Sequence, residues 1–338
     1  MPAASPSDPA CTLVARPIAL EAIPRATWDE LLGRTARTTP FSRWTWHRAW
    51  WDAYGAEAEP HYLACTDEAG VIRGLVPLMQ REGTTYFGAT YHGDYATVLC
   101  APGDLAAVAD ATAAALGGRA VDLRRLRHDD PAIGALEMAL GLRREQEDVC
   151  PVVTVPAGVD WEAYLGTLDK KDRHEIRRKV RRAETSGPMR FDLVALTPEA
   201  VEAFIGLHDL KWGARGLFPA GEHGDRSRAF IRRLAELEAA EGDDAQLQLG
   251  QFRVGERLVF VSAGFHDADT CYFYNAGLDW DARELSPGVT GTAAYLRYEL
   301  EHGCRRFDFL RGGEAYKYEW GSLDEPIYRL AGTVGGRP

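Results

Sequence analysis

Acidic, basic and aromatic residues that could carry chemistry concentrate between residues 308 and 320, where the sequence reads DFLRGGEAYKYEW. Alternation of residue type over 305–310 predicts a strand that holds Asp308 on the face opposite two phenylalanines. The glycine pair after this strand allows a sharp turn. A carboxylate, a phenol and an amine around such a turn are suited to proton transfer and anion binding. The candidate catalytic residues are Asp308, Tyr316 and Lys317.

Each of these three residues could take part in the chemistry, and the carboxylate also has a structural alternative. Asp308 can accept a proton from an amine, directly or through water, and Tyr316 can donate a proton. Lys317 can bind a phosphate or a carboxylate as a point charge. A carboxylate on a strand is as often paired for structure, here with Lys317 or Arg311, so the sequence leaves both roles open.

The composition of the chain excludes several classes of protein. Its 338 residues are 46% hydrophobic and 26% charged, which is typical of a globular protein long enough for two domains. A net charge of -11 argues against a general binder of DNA or of anionic membranes. The six cysteines form no Cys-x-x-Cys pair and the nine histidines no His-x-x-x-His pair, so we expect reduced thiols and no metal.

Two stretches bear on the location of the protein. Residues 1–10 are rich in Pro, Ser and Ala and lack an apolar core, so we expect no secretory signal and a cytoplasmic protein. The most apolar long run, residues 105–116, contains Asp110 and is too short to cross a bilayer. We therefore expect no membrane insertion.

The order of predicted elements repeats along the chain. Three strands, a helix and a strand follow one another between residues 61 and 126, and the same order recurs between residues 247 and 310. The repetition predicts an α+β fold of two tandem units, each with a mixed, mostly antiparallel sheet flanked by helices.

A run of positive charge separates the two copies. Residues 170–182 read KKDRHEIRRKVRR, and Ile176, Val180 and Ala183 form an apolar stripe along the predicted helix. The helix therefore packs on the protein with its basic side outward, either as a solvated face or as a holder of phosphates. We expect a disordered start, a first unit, a basic connecting helix and a second unit, over residues 1–15, 16–155, 156–190 and 191–338.

Four segments of the sequence resemble the GNAT acyltransferase superfamily, and within it the branch of FemAB-like and cellulose-biosynthesis-protein-like acetyltransferases. The most specific is the ordered pattern D-F-x-x-G-x-E-x-Y-K-x-x-W, and the resemblance covers nearly the whole chain. Where that branch often has an acidic residue after the first glycine of this pattern, this sequence has Gly313. The four segments are the basic run 170–182, HDLKWGARG at 208–216, SPG at 286–288 and the pattern at 308–320.

The resemblance implies two GNAT-like units and an N-acyltransferase with its donor site in the second unit. Acetyl-CoA or another acyl-CoA would be the cosubstrate, without a metal. The acceptor would be an amine of a small molecule, a sugar or a peptide. Because no Ser/His/Asp or Cys/His arrangement can be ordered from the sequence, we expect direct transfer in a ternary complex rather than a covalent acyl-enzyme.

The donor's pyrophosphate needs positive charge and N–H groups, which a helix start supplies. Ser286 is a suitable N-cap, Pro287 fits the first helical position, and the glycines nearby allow close approach. Gly264, inside the predicted strand 257–266, marks either a bulge or close backbone approach, where the resemblance implies that strands splay for the pantetheine arm, or a simple packing site. The candidate donor-binding residues are Gly264, Ser286, Gly288, Gly291, Arg177 and Arg178.

Candidate acceptor residues lie mostly in loops, which carry function more readily than cores. Three follow a strand of the first copy, two lie in the HDLKWGARG segment, and one tyrosine, also a candidate proton donor, lies in a strand of the second copy. They are His92, Asp94, Tyr95, Trp212, Arg215 and Tyr274.

Two other functions remain open. A Fem-type ligase would take its acyl group from aminoacyl-tRNA, which the basic run would bind in a salt-dependent way. A protein of the same fold without catalysis would bind a polysaccharide or a partner, and the departure at Gly313 is the sequence feature in favour of it. CoA is the preferred donor, because its phosphates need only a few cations whereas the chain as a whole is acidic.

Overall fold

The computed structural model describes residues 12–268 and 270–335. The chain divides into two compact units. Unit 1 comprises residues 1–147 and 326–338, and unit 2 comprises residues 148–325.

The first part of the chain alternates short strands with helices. Its elements are β1 Val14–Ile18, α1 Arg25–Arg34, α2 Trp44–Tyr54, β2 Glu59–Pro60, β3 Tyr62–Thr66, β4 Ile72–Val76, β5 Leu78–Arg81, β6 Thr84–Phe87, β7 Leu99–Cys100, α3 Leu105–Leu116, β8 Ala120–Arg127 and α4 Pro131–Leu140.

The second part has longer strands and longer helices. Its elements are β9 Arg144–Thr154, α5 Trp161–Thr167, α6 Lys170–Ser186, β10 Met189–Val194, α7 Pro198–Trp212, α8 Glu222–Ala240, β11 Leu247–Val254, β12 Arg257–His266, β13 Thr270–Leu278, α9 Pro287–Glu301, β14 Arg306–Asp308, α10 Ala315–Tyr318 and β15 Leu323–Thr333.

Unit 1 contains two sets of paired strands. In one set the order is β1, β3, β4, β7, and all neighbours are antiparallel. In the other the order is β15, β8, β6, β5, β2, in which β6 and β8 run parallel and the other neighbours antiparallel. Helix α3 packs against α4 and against β1, β3 and β4, and the apolar residues between them form the core of the unit.

Unit 2 is built on strands in the order β10, β11, β12, β13, β14, β9. All neighbours are antiparallel except β13 and β14, which run parallel. A parallel pair requires a crossover, and helix α9 provides it. The apolar side of α9 packs on the sheet, where Tyr295 stacks on Phe191 of β10 with ring centroids 5.2 Å apart. Helix α6 packs against α9, and α7 packs against β12 and β13.

These observations confirm the predicted α+β class with mostly antiparallel sheets, although the compact units differ from the expected segments. The expected connecting helix 156–190 lies inside unit 2, because its apolar stripe belongs to the core there. Residues 326–338 belong to unit 1, because β15 pairs with β8. Residues 1–11 of the expected disordered start lie outside the described residues, and β1 already begins at Val14.

Two further expectations concern the membrane and the thiols. Among the helices of residues 12–268 and 270–335, none combines the length and the apolar character that a membrane span requires. Cys11 lies outside the described residues. The other cysteines are buried free thiols, namely Cys65, Cys100, Cys150, Cys271 and Cys304.

Candidate functional site

The parallel strands β13 and β14 separate at their C-terminal ends. They pair over only three residues each, the last being Tyr272 and Asp308. Strand β13 continues to Leu278, whereas the chain after Asp308 follows β9, with the Phe309 N–H donating to the Pro151 carbonyl over 3.0 Å. An opening at the carboxyl ends of parallel strands is where open α/β sheets bind ligands.

A β-bulge lies next to this opening. Ala263 pairs with Asn275 and Phe265 pairs with Tyr272. Between these pairs, one residue of β12 therefore lies opposite two residues of β13. The extra residue is therefore on β13, and a bulge of this kind bends a strand and redirects its side chains. Tyr274 lies at the bulge, half-buried, with its ring edge-to-face on Phe265 and the centroids 5.7 Å apart.

Gly264, for which the sequence left a bulge and simple packing open, lies opposite the bulge. A Cβ at this position would lie 2.3 Å from the hydroxyl oxygen of Tyr295 and 2.9 Å from the carbonyl oxygen of Tyr272. The close neighbours of Gly264 are thus helix α9 and strand β13. This geometry fits the packing alternative for Gly264 and also explains the irregular pairing.

The start of α9 differs from the predicted cap. Pro287 occupies the first helical position as predicted, but Ser286 has a left-handed backbone, with φ 52° and ψ 52°, and its side chain makes no capping bond. The Ser286 carbonyl accepts from the N–H groups of Val289 and Thr290 over 2.9 and 3.0 Å. The Ser286 hydroxyl instead accepts a 2.5 Å hydrogen bond from the guanidinium of Arg182. The predicted side-chain cap is therefore wrong, because the hydroxyl is engaged with helix α6.

The two glycines of α9 have different surroundings. A Cβ on Gly291 would lie 2.3 Å from the ring of Phe260 in β12, so this glycine allows the helix to approach the sheet. The sequence suggested Gly291 as a contact for the donor, but this packing alone accounts for a glycine at this position. A Cβ on Gly288 would meet only the Leu278 side chain, at 3.5 Å. Gly288 is thus the glycine with space around it.

The arginines of α6 are placed differently from the expectation. Arg177 donates to Glu162 over 2.6 Å, and Arg178 donates to Glu175 over 2.9 and 2.7 Å. Arg182 is the arginine that reaches the start of α9. It belongs to the predicted basic helix, but its particular role escaped the sequence analysis, because helical spacing does not say which residue meets another helix.

Lys317 lies inside the turn that follows β14. Only 3% of the residue is exposed, and its ammonium donates to the carbonyls of Leu310, Arg311 and Gly312 over 3.0, 2.8 and 2.9 Å. It also lies 2.9 Å from a carboxylate oxygen of Glu314. An ammonium has three N–H donors, and the four oxygens within 3.0 Å of it are enough to occupy all of them. Of the phosphate or carboxylate that the sequence suggested as its partner, Lys317 meets a carboxylate, and its ammonium braces the turn.

Asp308 and Tyr316 lie on either side of this turn. Asp308 is completely buried, and its Oδ1 accepts from the N–H of Leu310 over 2.8 Å. Tyr316 keeps 42% of its surface exposed, with its ring edge-to-face on Phe309. Desolvation of the Tyr316 hydroxyl, followed by the negative charge of Glu314, raises the pKa of this tyrosine. The phenol therefore keeps its proton at neutral pH.

The end of α7 meets the end of β13. Trp212 donates from Nε1 to the carbonyl of Ala276 over 3.4 Å, and the Lys211 ammonium lies 4.3 Å from the centroid of the Trp212 ring. Burial lowers the pKa of Lys211 to about 8. Arg215, three residues beyond Trp212, is exposed.

His208 belongs to the same segment, but the sequence did not indicate it as a candidate site residue. Only 1% of it is exposed, and burial lowers its pKa to about 4, so the ring is neutral at pH 7. A Cβ on Gly216 would lie 2.4 Å from the ring of His208. Gly216 thus lets the loop after α7 fold back over the imidazole. The signal in the sequence was the HDLKWGARG segment, which contains both residues.

The candidates of unit 1 are largely part of its core. His92 is 7% exposed, and its Nε2 lies 2.7 Å from the hydroxyl of Tyr54. Tyr95 is 4% exposed, and the guanidinium of Arg127 lies 4.9 Å from its ring centroid. Asp94, between them, is half-buried. The burial of both rings fits a packing role within unit 1.

Comparisons with known proteins agree with this architecture. Residues 170–318 match the sequence profile described as the acetyltransferase (GNAT) domain. The solved structure of FemX is 11% identical, covers 93% of this chain and 96% of its own, and gives a TM-score of 0.61. No curated protein sequence matches the chain.

Two further solved structures share the fold. The C-terminal domain of a putative lysylphosphatidylglycerol synthetase from Agrobacterium fabrum is 11% identical over 90% of each chain, with a TM-score of 0.57. A tandem GNAT protein from the clavulanic acid biosynthesis pathway is 14% identical over 94% of this chain and 97% of its own, with a TM-score of 0.50. Residues 170–318 are thus a GNAT acetyltransferase domain, and the chain has the fold of tandem GNAT and FemAB-like proteins.

Proposed function

We propose that the protein is an N-acyltransferase that moves an acyl group, with acetyl as the first candidate, from acyl-CoA to an amine acceptor. The observation that carries this proposal is the bond between Arg182 and Ser286 at the start of α9. It holds a guanidinium beside a helix N-terminus, where N–H groups and the helix dipole favour an anion. The pyrophosphate of CoA is an anion that can accept charge-assisted hydrogen bonds there.

The opening between β13 and β14 would hold the pantetheine arm. The arm is a chain with two amide groups, and the edge of β13 beyond Tyr272 offers backbone groups that can bond to it as a strand would. The thioester would then lie near the turn after β14, and the phosphates would lie at the start of α9. This arrangement would bring the acyl carbon close to Tyr316 and Asp308.

Transfer requires a neutral amine to attack the thioester carbonyl. A C–N bond forms, the C–S bond breaks, the nitrogen loses one proton, and the leaving thiolate gains one proton to become CoA thiol. Tyr316, which keeps its proton, would donate a hydrogen bond to the carbonyl oxygen or to the leaving sulfur. Asp308, which is buried and bonded to the Leu310 N–H, would hold the turn or take the amine proton through water.

The alternative donor is aminoacyl-tRNA, and the observation in its favour is the basic face of α6. Lys170, Lys171 and Arg181 on this helix are exposed. Arg177 and Arg178, however, already donate to acidic side chains, which reduces the positive field that a polyanion would meet. CoA, which needs fewer cations, is therefore the donor we propose.

The test is an acyl-transfer assay with acetyl-CoA and a panel of small-molecule, sugar and peptide amines, in which thiol release and product mass are both measured. We expect amine-dependent release of CoA thiol and an acceptor heavier by one acetyl group. Native mass spectrometry of the freshly purified protein separates the donors, since a bound CoA thioester and a bound tRNA differ greatly in mass. Binding of acetyl-CoA with no product from any amine would favour the non-catalytic alternative.

A further inference from the structure

A second cluster of side chains that can carry chemistry lies at the other end of α9. His266 is the last residue of β12, Glu299 lies in the last turn of α9, and Cys304 follows that helix. One ligand atom of each residue lies within 4.8 Å of the others. Glu299 is 13 residues after Ser286, or about 20 Å along the helix, so the cluster is separate from the candidate donor site.

The buried carboxylate of Glu299 is the unusual member of this cluster. Only 3% of the residue is exposed, and its Oε2 lies 3.9 Å from Nε2 of His266. Within residues 12–268 and 270–335, its Oε1 has no hydrogen-bond partner. A buried polar atom without a partner costs free energy, and a bound ion or water is the usual explanation for one.

We propose that His266, Glu299 and Cys304 bind one Zn²⁺ ion. Zinc accepts nitrogen, oxygen and sulfur ligands together, whereas Mg²⁺ and Ca²⁺ take oxygen ligands. Ligand atoms around a tetrahedral zinc lie about 3–4 Å apart, because the bonds to the metal are about 2.0–2.3 Å long. The spread within 4.8 Å therefore requires only small adjustments of the three side chains.

The surroundings leave the cluster open to solvent on one side, and binding of the ion would release the proton of the thiol. His266 keeps 32% of its side chain exposed, so the ion can enter from that side and a water molecule can complete the coordination. The thiol of Cys304 donates to the carbonyl of Arg306 over 3.1 Å, and on binding it loses its proton to solvent and bonds as thiolate. The ion would then link the end of β12 to the end of α9, just before β14.

The test uses the full-length protein stripped with EDTA and titrated with ZnCl₂ or CoCl₂. We expect one equivalent of Zn²⁺ to be retained after gel filtration and the melting temperature to rise. Co²⁺ should give the near-ultraviolet absorption band of a thiolate–cobalt bond. Cys304→Ala should abolish this band. His266→Asn should weaken Zn²⁺ binding by about tenfold or more, because loss of an outer-shell partner alone costs about 10- to 100-fold.

A control variant distinguishes binding at this cluster from binding to another thiol. Cys65→Ala removes a buried free thiol of unit 1 and should leave binding and the cobalt band unchanged. If Cys304→Ala does not fold, His266→Asn, whose side chain is partly exposed, still tests the site. The proposal is overturned if the folded wild type retains no Zn²⁺ and shows no cobalt band. It is equally overturned if His266→Asn binds Zn²⁺ as the wild type does.

Discussion

The guanidinium of Arg182 donates a 2.5 Å hydrogen bond to the hydroxyl of Ser286, which joins two residues that are 104 positions apart in the sequence. The bond connects helix α6 to the residue before helix α9. It brings a positive charge to a helix N-terminus. The guanidinium and the helix N-terminus together attract a phosphate more strongly than either does by itself. In the proposed donor site, a chain with a net charge of -11 would thus bind an anion locally, without a general positive surface.

Loss of the Lys317 ammonium should destabilise the protein. In Lys317→Met the carbonyls of Leu310, Arg311 and Gly312 lose their buried donor. We expect the free energy of unfolding to fall by about 3–5 kcal/mol, as when one partner of a buried charged group is removed. Urea unfolding measures this change. The matched control is Lys171→Met on the exposed face of α6, with an expected change within about 0.5 kcal/mol; equal stability of the two variants would disprove the brace.

Gly291 should not tolerate a methyl group, whereas Gly288 should. In Gly291→Ala the new Cβ meets the ring of Phe260 at 2.3 Å, and we expect a loss of about 1–3 kcal/mol in the free energy of unfolding, as for overpacked cores. In Gly288→Ala the nearest atom is 3.5 Å away, so the change should stay within about 1 kcal/mol. Guanidinium unfolding of both variants is the measurement, and a larger loss in Gly288→Ala would contradict the packing described.

His208 should make the protein less stable in acid. Burial lowers its pKa to about 4 in the folded state, against 6.5 for an ordinary histidine, so the unfolded chain binds the proton first as the pH falls. Stability is therefore lost between pH 6.5 and about 4. The contribution of this one residue is at most about 3 kcal/mol.

The measurement is the free energy of unfolding as a function of pH for the wild type and His208→Gln. Burial also lowers the pKa of His47, to about 3, so only the difference between the two proteins isolates His208. The variant should lose less stability than the wild type between pH 6.5 and 4. Parallel curves would show that His208 is not the group responsible.

Removal of the Tyr316 hydroxyl should slow acyl transfer. If this phenol donates a hydrogen bond in the transition state, Tyr316→Phe should lower kcat by about 10- to 100-fold with little change in KM for acetyl-CoA. Tyr318→Phe is the matched control, because the Tyr318 hydroxyl donates to Asp324 over 2.7 Å and has no proposed role in transfer. Equal activity of Tyr316→Phe and the wild type would remove Tyr316 from the mechanism.

Sequence patterns predicted those parts of the fold that depend on neighbours along the chain. The order of three strands, a helix and a strand predicted between residues 247 and 310 agrees with β11, β12, β13, α9 and β14 as observed. The pairing of Arg182 with Ser286 depends on helix packing across 104 residues, which no local pattern encodes.

The same limit applies to the turn after β14 and to the cluster at the other end of α9. Lys317 was predicted as a catalytic candidate that could bind a phosphate or a carboxylate. The sequence does not show that Leu310 takes a left-handed backbone, with φ 57°, in the turn whose carbonyls this lysine binds. The absence of short His and Cys spacings led to the expectation of no metal. His266, Glu299 and Cys304 come together only through the packing of α9 on β12.

The binding of acetyl-CoA, measured by isothermal titration calorimetry, tests the central claim most directly. We expect one site in the wild type and an affinity about tenfold lower in Arg182→Gln, as for loss of a hydrogen bond to a charged group. Arg177→Gln, on the same helix but paired with Glu162, should stay within about twofold. Absence of binding to the folded wild type, or an equal loss in the two variants, would contradict a donor site at Arg182 and Ser286.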